Sequence, residues 1–228
     1  MARRYLLDPL PGPGDLALPD SVAHHLARVM RVEPGEEIVL FDGTGHECRA
    51  TVLAVEHGRV RVRAAPATPG GKEPTLRLEL AVALPKGTRA EWLFEHGTEV
   101  GITVFRPILC TRNQERSAAR AERWRRIVAA AAAQCDRALV PEVADPIPLA
   151  TLLKAADLPA QRWFGAQGGE APPGGREGRG LLVVGPEGGF TAEEDAALHR
   201  SGCAPIRFSQ LTWRTETAAV VGAALLLA

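Results

Sequence analysis

The sequence predicts a two-part chain: a small β barrel over residues 1–68, followed by an α/β domain with a mostly parallel sheet over residues 73–228. Short strand-like runs separated by turn signals fill the first part, and strand and helix patterns alternate through the second. Between them Pro66 to Pro74 is rich in proline and glycine, as expected of a linker.

In the first part the strand-like runs are Arg4–Leu7, Glu37–Phe41, Glu47–Val55 and Arg59–Ala64, punctuated by Asp42-Gly43 and His57-Gly58. The last run alternates Arg59, Arg61 and Arg63 with Val60 and Val62, which puts the arginines on one exposed face. One helix is expected near Asp20 to Met30, with Val22, Leu26, Val29 and Met30 as its apolar stripe and His24, Arg28 and Arg31 opposite. In the second part, strand Leu76–Leu84 leads to helix Thr88–Val100, closed by Gly101 as a C-terminal cap. Strand Thr103–Leu109 leads to helix Ala118–Cys135. A shorter helix near Leu149–Ala156 precedes strand Gln161–Gly165, and the Gly/Pro-rich stretch Gly168–Gly180 is expected to be a mobile surface loop. Two strand–loop–helix units finish the chain. The second has its strand at Pro205–Phe208 and its apolar helix at Thr217–Ala228.

Composition limits the class. The chain has 27 basic and 27 acidic side chains in 228 residues, so it is not coated in basic surface. Only Lys72, Lys86 and Lys154 are lysines, however, and clustered arginines bind phosphate in bidentate fashion and stack on bases without a basic average. The densest cluster is Arg112, Arg116, Arg120, Arg123, Arg125 and Arg126, interrupted by Glu115 and Glu122. No apolar stretch is long enough to span a bilayer, and the N-terminus lacks the apolar run of a signal peptide. Cys48, Cys110, Cys135 and Cys203 form no CxxC pair and read as reduced core thiols, with no metal site. A cytoplasmic protein outside the membrane is expected.

Two segments carry the chemistry. Leu181 to Val184 is an apolar run, and Gly185-Pro186-Glu187-Gly188-Gly189-Phe190-Thr191 follows it as a turn with three glycines. Thr191 and Glu194 are spaced as a capping box for the next helix. Such a turn exposes backbone N–H and C=O groups to a nucleotide-like ligand. The second segment is Leu211-Thr212-Trp213-Arg214-Thr215-Glu216-Thr217-Ala218. Both loops follow strands of the same parallel sheet, so both open at its C-terminal edge. The turn lacks G-x-G-x-x-G and the Lys-Ser/Thr of a P-loop. Two alternatives stay open from residues alone: another nucleotide-binding enzyme using the turn as a phosphate cradle, and a non-catalytic RNA-binding module.

GPEGGFT (Gly185–Thr191) followed by WRTETA (Trp213–Ala218) resembles the RsmE family of small-subunit rRNA methyltransferases, in the SPOUT superfamily. Arg3-Arg4-Tyr5, His24-His25-Leu26 through Arg31, Phe41 to Gly45, Lys86-Gly87 through Gly101, and Ala133-Gln134-Cys135 through Arg137 and Pro141 occur in the family's order. The resemblance implies a PUA-like RNA-binding barrel and a trefoil-knot domain that holds S-adenosylmethionine. It also implies methylation of uridine N3 in the decoding region of 16S rRNA, and a homodimer through the C-terminal domain. The cofactor site implied is Phe164, Val184, Gly185, Glu187, Gly188, Gly189, Ser209, Leu211, Thr212, Trp213 and Thr217. Three features depart from the family: Phe208-Ser209 where Leu-Gly is usual, Thr212-Trp213-Arg214 where Ile-Leu-Arg is usual, and His96 where lysine is common. A bulkier last loop is expected.

The donor's sulfonium activates its own methyl group, so no metal or covalent nucleophile is needed. What remains is in-line positioning of uridine N3 and removal of its proton, with positive charge near the carbonyl oxygens. Arg214 is the first candidate for that charge, or for holding the substrate phosphate, with Glu216 orienting it or capping the last helix, and the pair is assigned as catalytic. Glu187, His24 and His25 are further candidates for the base. Arg4, His24, Arg28, Arg31, Lys86, Arg112, Gln134 and Arg137 are the candidate RNA-binding residues, with Arg89 a second loop cation beside Lys86.

Overall fold

A computed structural model describes residues 3–71, 73–113 and 121–228. The chain divides into two compact units, one of residues up to 72 joined by Ala132–Val140, the other of Glu73–Ala131 and Pro141–Ala228.

The first unit is a six-stranded sheet. Its strands are β1 (Arg3–Leu6), β2 (Gly14–Ala17), β3 (Glu37–Phe41), β4 (His46–Glu56), β5 (Arg59–Ala64) and β6 (Thr68–Pro69). The order is β1-β3-β4-β5-β2, with β6 on β4. Only the β1–β3 pair is parallel. Among the described residues no ladder joins β1 to β2. In β5 the valines are buried and Arg59, Arg61 and Arg63 exposed, as the alternation predicts. Leu26, Ile38, Leu40, Val52, Val60 and Val62 form the core. The strand β2 was not legible, because GDLA offers neither a β-branched nor an aromatic residue. The expected linker is also partly a strand, since Thr68 and Pro69 pair with Glu47 and His46. The segment Ala132–Val140 closes on the unit through Gly45 N–H to the Ala138 carbonyl and Val140 N–H to the Gly43 carbonyl.

The helix of this unit departs from the expected stripe. Asp20–His24 is α-helical (α1), but His25–Val29 is a π-helix, with Met30 N–H donating to the His25 carbonyl. The wider turn breaks the 3.6-residue phase. Leu26 and Ala23 remain buried while Val29 is turned outward, 63% exposed.

The second unit is a parallel sheet of β7 (Leu76–Val82), β8 (Val104–Leu109), β9 (Glu142–Val143), β10 (Ile147–Pro148), β11 (Gln161–Glu170), β12 (Gly178–Val184) and β13 (Ala204–Ile206). The order is β10-β8-β7-β12-β11-β13, with β9 on β8. Its helices are α2 (Thr88–Val100), α3 (Ala121–Gln134, shared at its end with the first unit), α4 (Leu149–Leu152), α5 (Ala192–Arg200) and α6 (Thr215–Leu227). Gly101 ends α2 in the left-handed conformation, φ 110°. Any part of the predicted helix before Ala121, with Glu115, Arg116 and Arg120, lies outside the described residues. The helix α6 packs against α2, β7 and β12. In the sheet, buried Glu79 on β7 accepts from Arg106 Nε (2.6 Å) and Arg179 Nη2 (2.7 Å), so its charge is paired.

Two features of the second unit differ from expectation. The strand β11 runs on to Glu170, whose carbonyl accepts from Arg207 N–H at 2.7 Å, so the surface loop is only 171–177. A Cβ at Gly169 would lie 2.6 Å from the Ile206 backbone, so only glycine permits that approach. The bulk of Phe208 is absorbed in the same manner. Its ring lies where a Cβ would stand on Gly165 (2.9 Å) and Gly222 (2.6 Å).

Gly222→Ala is therefore expected to lower the melting midpoint by overpacking the ring, at a cost of about 1–3 kcal/mol. Adding Phe208→Leu should restore most of the loss. Thermal unfolding of the two variants checks this, and no recovery in the double variant rejects the packing account.

Candidate active site

The two loops and the groups around them belong to the second unit. The Gly-rich turn leaves β12 and re-enters α5. Gly189 N–H closes it on the Pro186 carbonyl at 2.8 Å, and Gly189 has φ 71°, so a side chain there is strained whatever the space. Gly185 lies under the Phe190 ring, which a Cβ would meet at 3.0 Å. The predicted capping box is formed: Thr191 Oγ1 accepts from Glu194 N–H (3.2 Å) and Glu194 Oε2 accepts from Thr191 N–H (2.9 Å). Glu194 Oε1 also accepts from Thr111 N–H at 2.7 Å.

The last loop runs from β13 to α6. Ser209 Oγ accepts from Leu211 N–H (3.0 Å), and Gln167 Nε2 donates to Thr212 Oγ1 (3.4 Å). Thr215 Oγ1, at the start of α6, donates to the Gly185 carbonyl (3.2 Å) and so ties the two loops together.

Between them is a cavity of about 340 Å³. Phe164, Val184, Gly185, Glu187, Gly189, Ser209, Leu211, Thr212 and Trp213, all expected as cofactor residues, border it. Gly188 borders instead a cleft with Lys86, Arg89, Arg112 and Asn113. Thr217 borders a third, with Thr88, Arg89, Trp92, Arg214 and Glu216. Phe190, of the Gly-rich motif, and Phe208 also border the cavity, as do Gln167 and Asp195, which carried no motif; the end of β11 would have marked Gln167.

The cavity fits S-adenosylmethionine. Its volume lies in the range of small-molecule sites. Phe164 and Phe190, with ring centroids 6.2 Å apart, offer an aromatic wall for a purine. The carboxylates of Asp195 and Glu187 offer acceptors for hydroxyl or ammonium groups and counter a sulfonium charge. The Cys110 and Cys203 thiols are poor nucleophiles, since burial pushes Cys110 up to about 12 and raises Cys203.

Arg89 organises the charges beside the turn. It donates to Glu187 and lies 4.0 Å from Glu216 Oε1. The bond to Glu187 holds its guanidinium above the usual range. Arg112 donates to the Gly188 carbonyl. Glu216 is buried, and its ion-pair partner among the described residues is Arg89, where Arg214 was the expected one. Arg214 itself is the exposed N-cap of α6. Lys86 is exposed at the start of α2.

The remaining candidates lie in the first unit. His24, His25, Arg28, Arg31 and Gln134 are exposed. Arg4 is enclosed, with Nη2 donating to Glu47 (2.6 Å) and its guanidinium over the Phe41 ring. Arg137 is buried. Arg63 is clamped on Asp15 by two hydrogen bonds of 2.6 and 3.0 Å.

A family model described as an RNA methyltransferase domain matches residues 72–227, and one described as an RNA methyltransferase PUA domain matches residues 18–64. The chain is 32% identical to the ribosomal RNA small subunit methyltransferase E of Mycobacterium tuberculosis, over 97% of this chain and 89% of that protein. The protein of the same name from Bacillus subtilis is 29% identical over 86% and 82%. Among solved structures, the ribosomal RNA small subunit methyltransferase E of Neisseria gonorrhoeae bound to S-adenosyl methionine superposes with a TM-score of 0.87. It is 28% identical, over 98% of this chain and 96% of that one. A methyltransferase from Legionella pneumophila in complex with the same cofactor has a TM-score of 0.86 at 27% identity, covering 99% and 96%.

Arg89 and Arg112 are expected to hold the Gly-rich turn. Arg89→Met with Arg112→Met should speed amide exchange at Gly188 and Gly189 by about tenfold or more, equivalent to about 1.4 kcal/mol. Exchange unchanged there in the double variant rejects that role.

Proposed function

The chain belongs to the ribosomal RNA small subunit methyltransferase E family, and we propose that it transfers a methyl group from S-adenosylmethionine to N3 of a uridine in the decoding region of 16S rRNA. The observation that carries this is the cavity between the Gly-rich turn and the WRTETA loop, bordered by nine of the expected cofactor residues. The position within the rRNA rests on the family resemblance.

When bound, S-adenosylmethionine supplies an electrophilic methyl carbon. The turn and the last loop hold it at Phe164, Val184, Gly185, Glu187, Gly189, Ser209, Leu211, Thr212 and Trp213, with Gly188 and Thr217 at the borders of the site. N3 lies on the Watson–Crick edge, so the uridine enters unpaired. The cations Lys86, Arg89 and Arg112 line the neighbouring cleft and suit RNA phosphate. Arg214, exposed beside the buried Glu216, supplies charge to the carbonyl oxygens as N3 loses its proton.

Residues 1–68 act as the PUA-like RNA-binding barrel and 73–228 as the catalytic SPOUT domain. RNA is held by exposed His24, Arg28 and Arg31, together with Gln134, while buried Arg4 and Arg137 brace that surface. The C-terminal domain forms the trefoil knot, supported by the return of the chain from edge strand β13 to α6 against β7 and β12. It also forms the homodimer. Leu225 on α6 is 39% exposed, so a two-fold partner would cover it. Gly222 takes no part in that surface, since it faces Phe208. No helix among the described residues is long and apolar enough to cross a membrane, and the enzyme acts in the cytoplasm on its rRNA.

Transfer of labelled methyl to 16S rRNA, followed by nucleoside analysis, should yield N3-methyluridine; a different methylated nucleoside or none rejects the activity. Arg214→Ala should lower kcat by about a hundredfold with cofactor affinity nearly unchanged. A kcat within a few-fold of the parent makes Arg214 structural.

Light scattering at micromolar concentration should give about twice 24.3 kDa, and Leu225→Arg should shift it toward the monomer. A mass near that of one chain in the parent protein rules out the dimer.

A further inference from the structure

The cleft bordered by Thr88, Arg89, Trp92, Arg214, Glu216 and Thr217, about 400 Å³, contains an unusual carboxylate. The Glu216 side chain is 8% exposed. Its Oε1 faces Arg89 Nη1 at 4.0 Å, but its Oε2 is closed to solvent and has no hydrogen-bond donor among the described residues. A buried carboxylate oxygen without a donor bears its full desolvation cost. Glu216 borders a cleft while its Oε2 is closed to solvent, so a donor from a bound molecule reaches it only when a side chain lining that cleft moves aside.

The surroundings specify that molecule. The cleft that Glu216 borders also carries two guanidiniums, Arg89 and Arg214, and Trp92 offers an exposed aromatic surface there. The imide edge of uracil carries the complementary pattern: a donor, N3–H, between two acceptors, O4 and O2. Cytosine presents a bare N3 lone pair, which the carboxylate repels. Guanine carries a donor amino group on one side of N1–H, where an arginine would oppose it.

We propose that Glu216 Oε2 accepts the N3–H of the target uracil and removes that proton, with Arg89 and Arg214 on the flanking carbonyl oxygens and Trp92 stacked on the ring. This rests on the uridine-methylation function proposed above and names the base within it. The N3–H bond breaks, the proton passes to Oε2, and the electron pair stays on N3, spread over O2 and O4. That pair forms the bond to the donor's methyl carbon as the carbon–sulfur bond breaks onto sulfur, and Glu216 then returns its proton to water. A carboxylate is a far weaker base than the N3 anion, so transfer needs the anion held by the two guanidiniums. Arg89 is already in place through its bond to Glu187.

Single-turnover methylation of 16S rRNA by full-length Glu216→Gln tests this, with cofactor calorimetry as a check on folding. The amide keeps an acceptor but cannot take a proton. Cofactor affinity should stay within a few-fold, and the rate at pH 7 should fall by about a hundredfold or more. The rate should recover as pH rises toward the ionisation of uridine N3 itself. A Gln variant as fast as the parent at pH 7 overturns the assignment, and so does a slow one whose rate is flat with pH. Should the variant fail to bind cofactor, the parent protein decides with rRNA carrying 5-fluorouridine, whose N3 is more acidic. A faster rate supports proton removal at N3 by the enzyme, and an equal rate overturns it. A parent protein that transfers no methyl to rRNA overturns the methyltransferase function instead.

Discussion

The hydrogen bond from Thr215 to the Gly185 carbonyl joins two loops that are separated by thirty residues of sequence. One leaves the central strand β12, the other comes from the edge strand β13. Neither makes a cavity alone. The Gly-rich turn is held from below by its capping box and by Arg112, but it has no opposite wall. The last loop supplies that wall, and it can do so because Phe208 is anchored in the space left by two glycines. A bulkier residue than the family uses is thus seated inward.

Charge is arranged around this joint so that few groups stand alone. Glu187 is exposed and paired with Arg89, whereas Glu216, which faces the same arginine, is buried and has one carboxylate oxygen without a hydrogen-bond partner among the described residues. Satisfied ion pairs of this kind contribute little stability when exposed. The buried one is different, because a charge without its full set of partners is tolerated only where something compensates. Glu79, deeper in the same sheet, shows the ordinary solution, with both oxygens taken by arginines.

The zero net charge conceals how differently the arginines are used. Some are structural: Arg4 over Phe41 and on Glu47, Arg63 on Asp15, Arg106 and Arg179 on Glu79. Others, such as Arg28, Arg31 and Arg214, are exposed. A count of basic residues treats the two sets alike, which is why composition is a poor guide to the RNA surface.

Local signals determined a large part of this protein from sequence alone. The glycine after Val100, the Thr191–Glu194 pair and the Arg/Val alternation of β5 each encode their own element, because their hydrogen bonds or burial involve residues at short range. The two loops that border the cavity were legible for the same reason, and the parallel sheet placed them on one edge. Tertiary structure decided the rest. The π-turn at His25–Val29, the extension of β11 along β13, and the seat of Phe208 all depend on what lies opposite in space. So does the pairing of Glu216. Its two-residue spacing from Arg214 suggested a partner in sequence, but residues i and i+2 point apart at a helix start, and the nearest cation comes from α2.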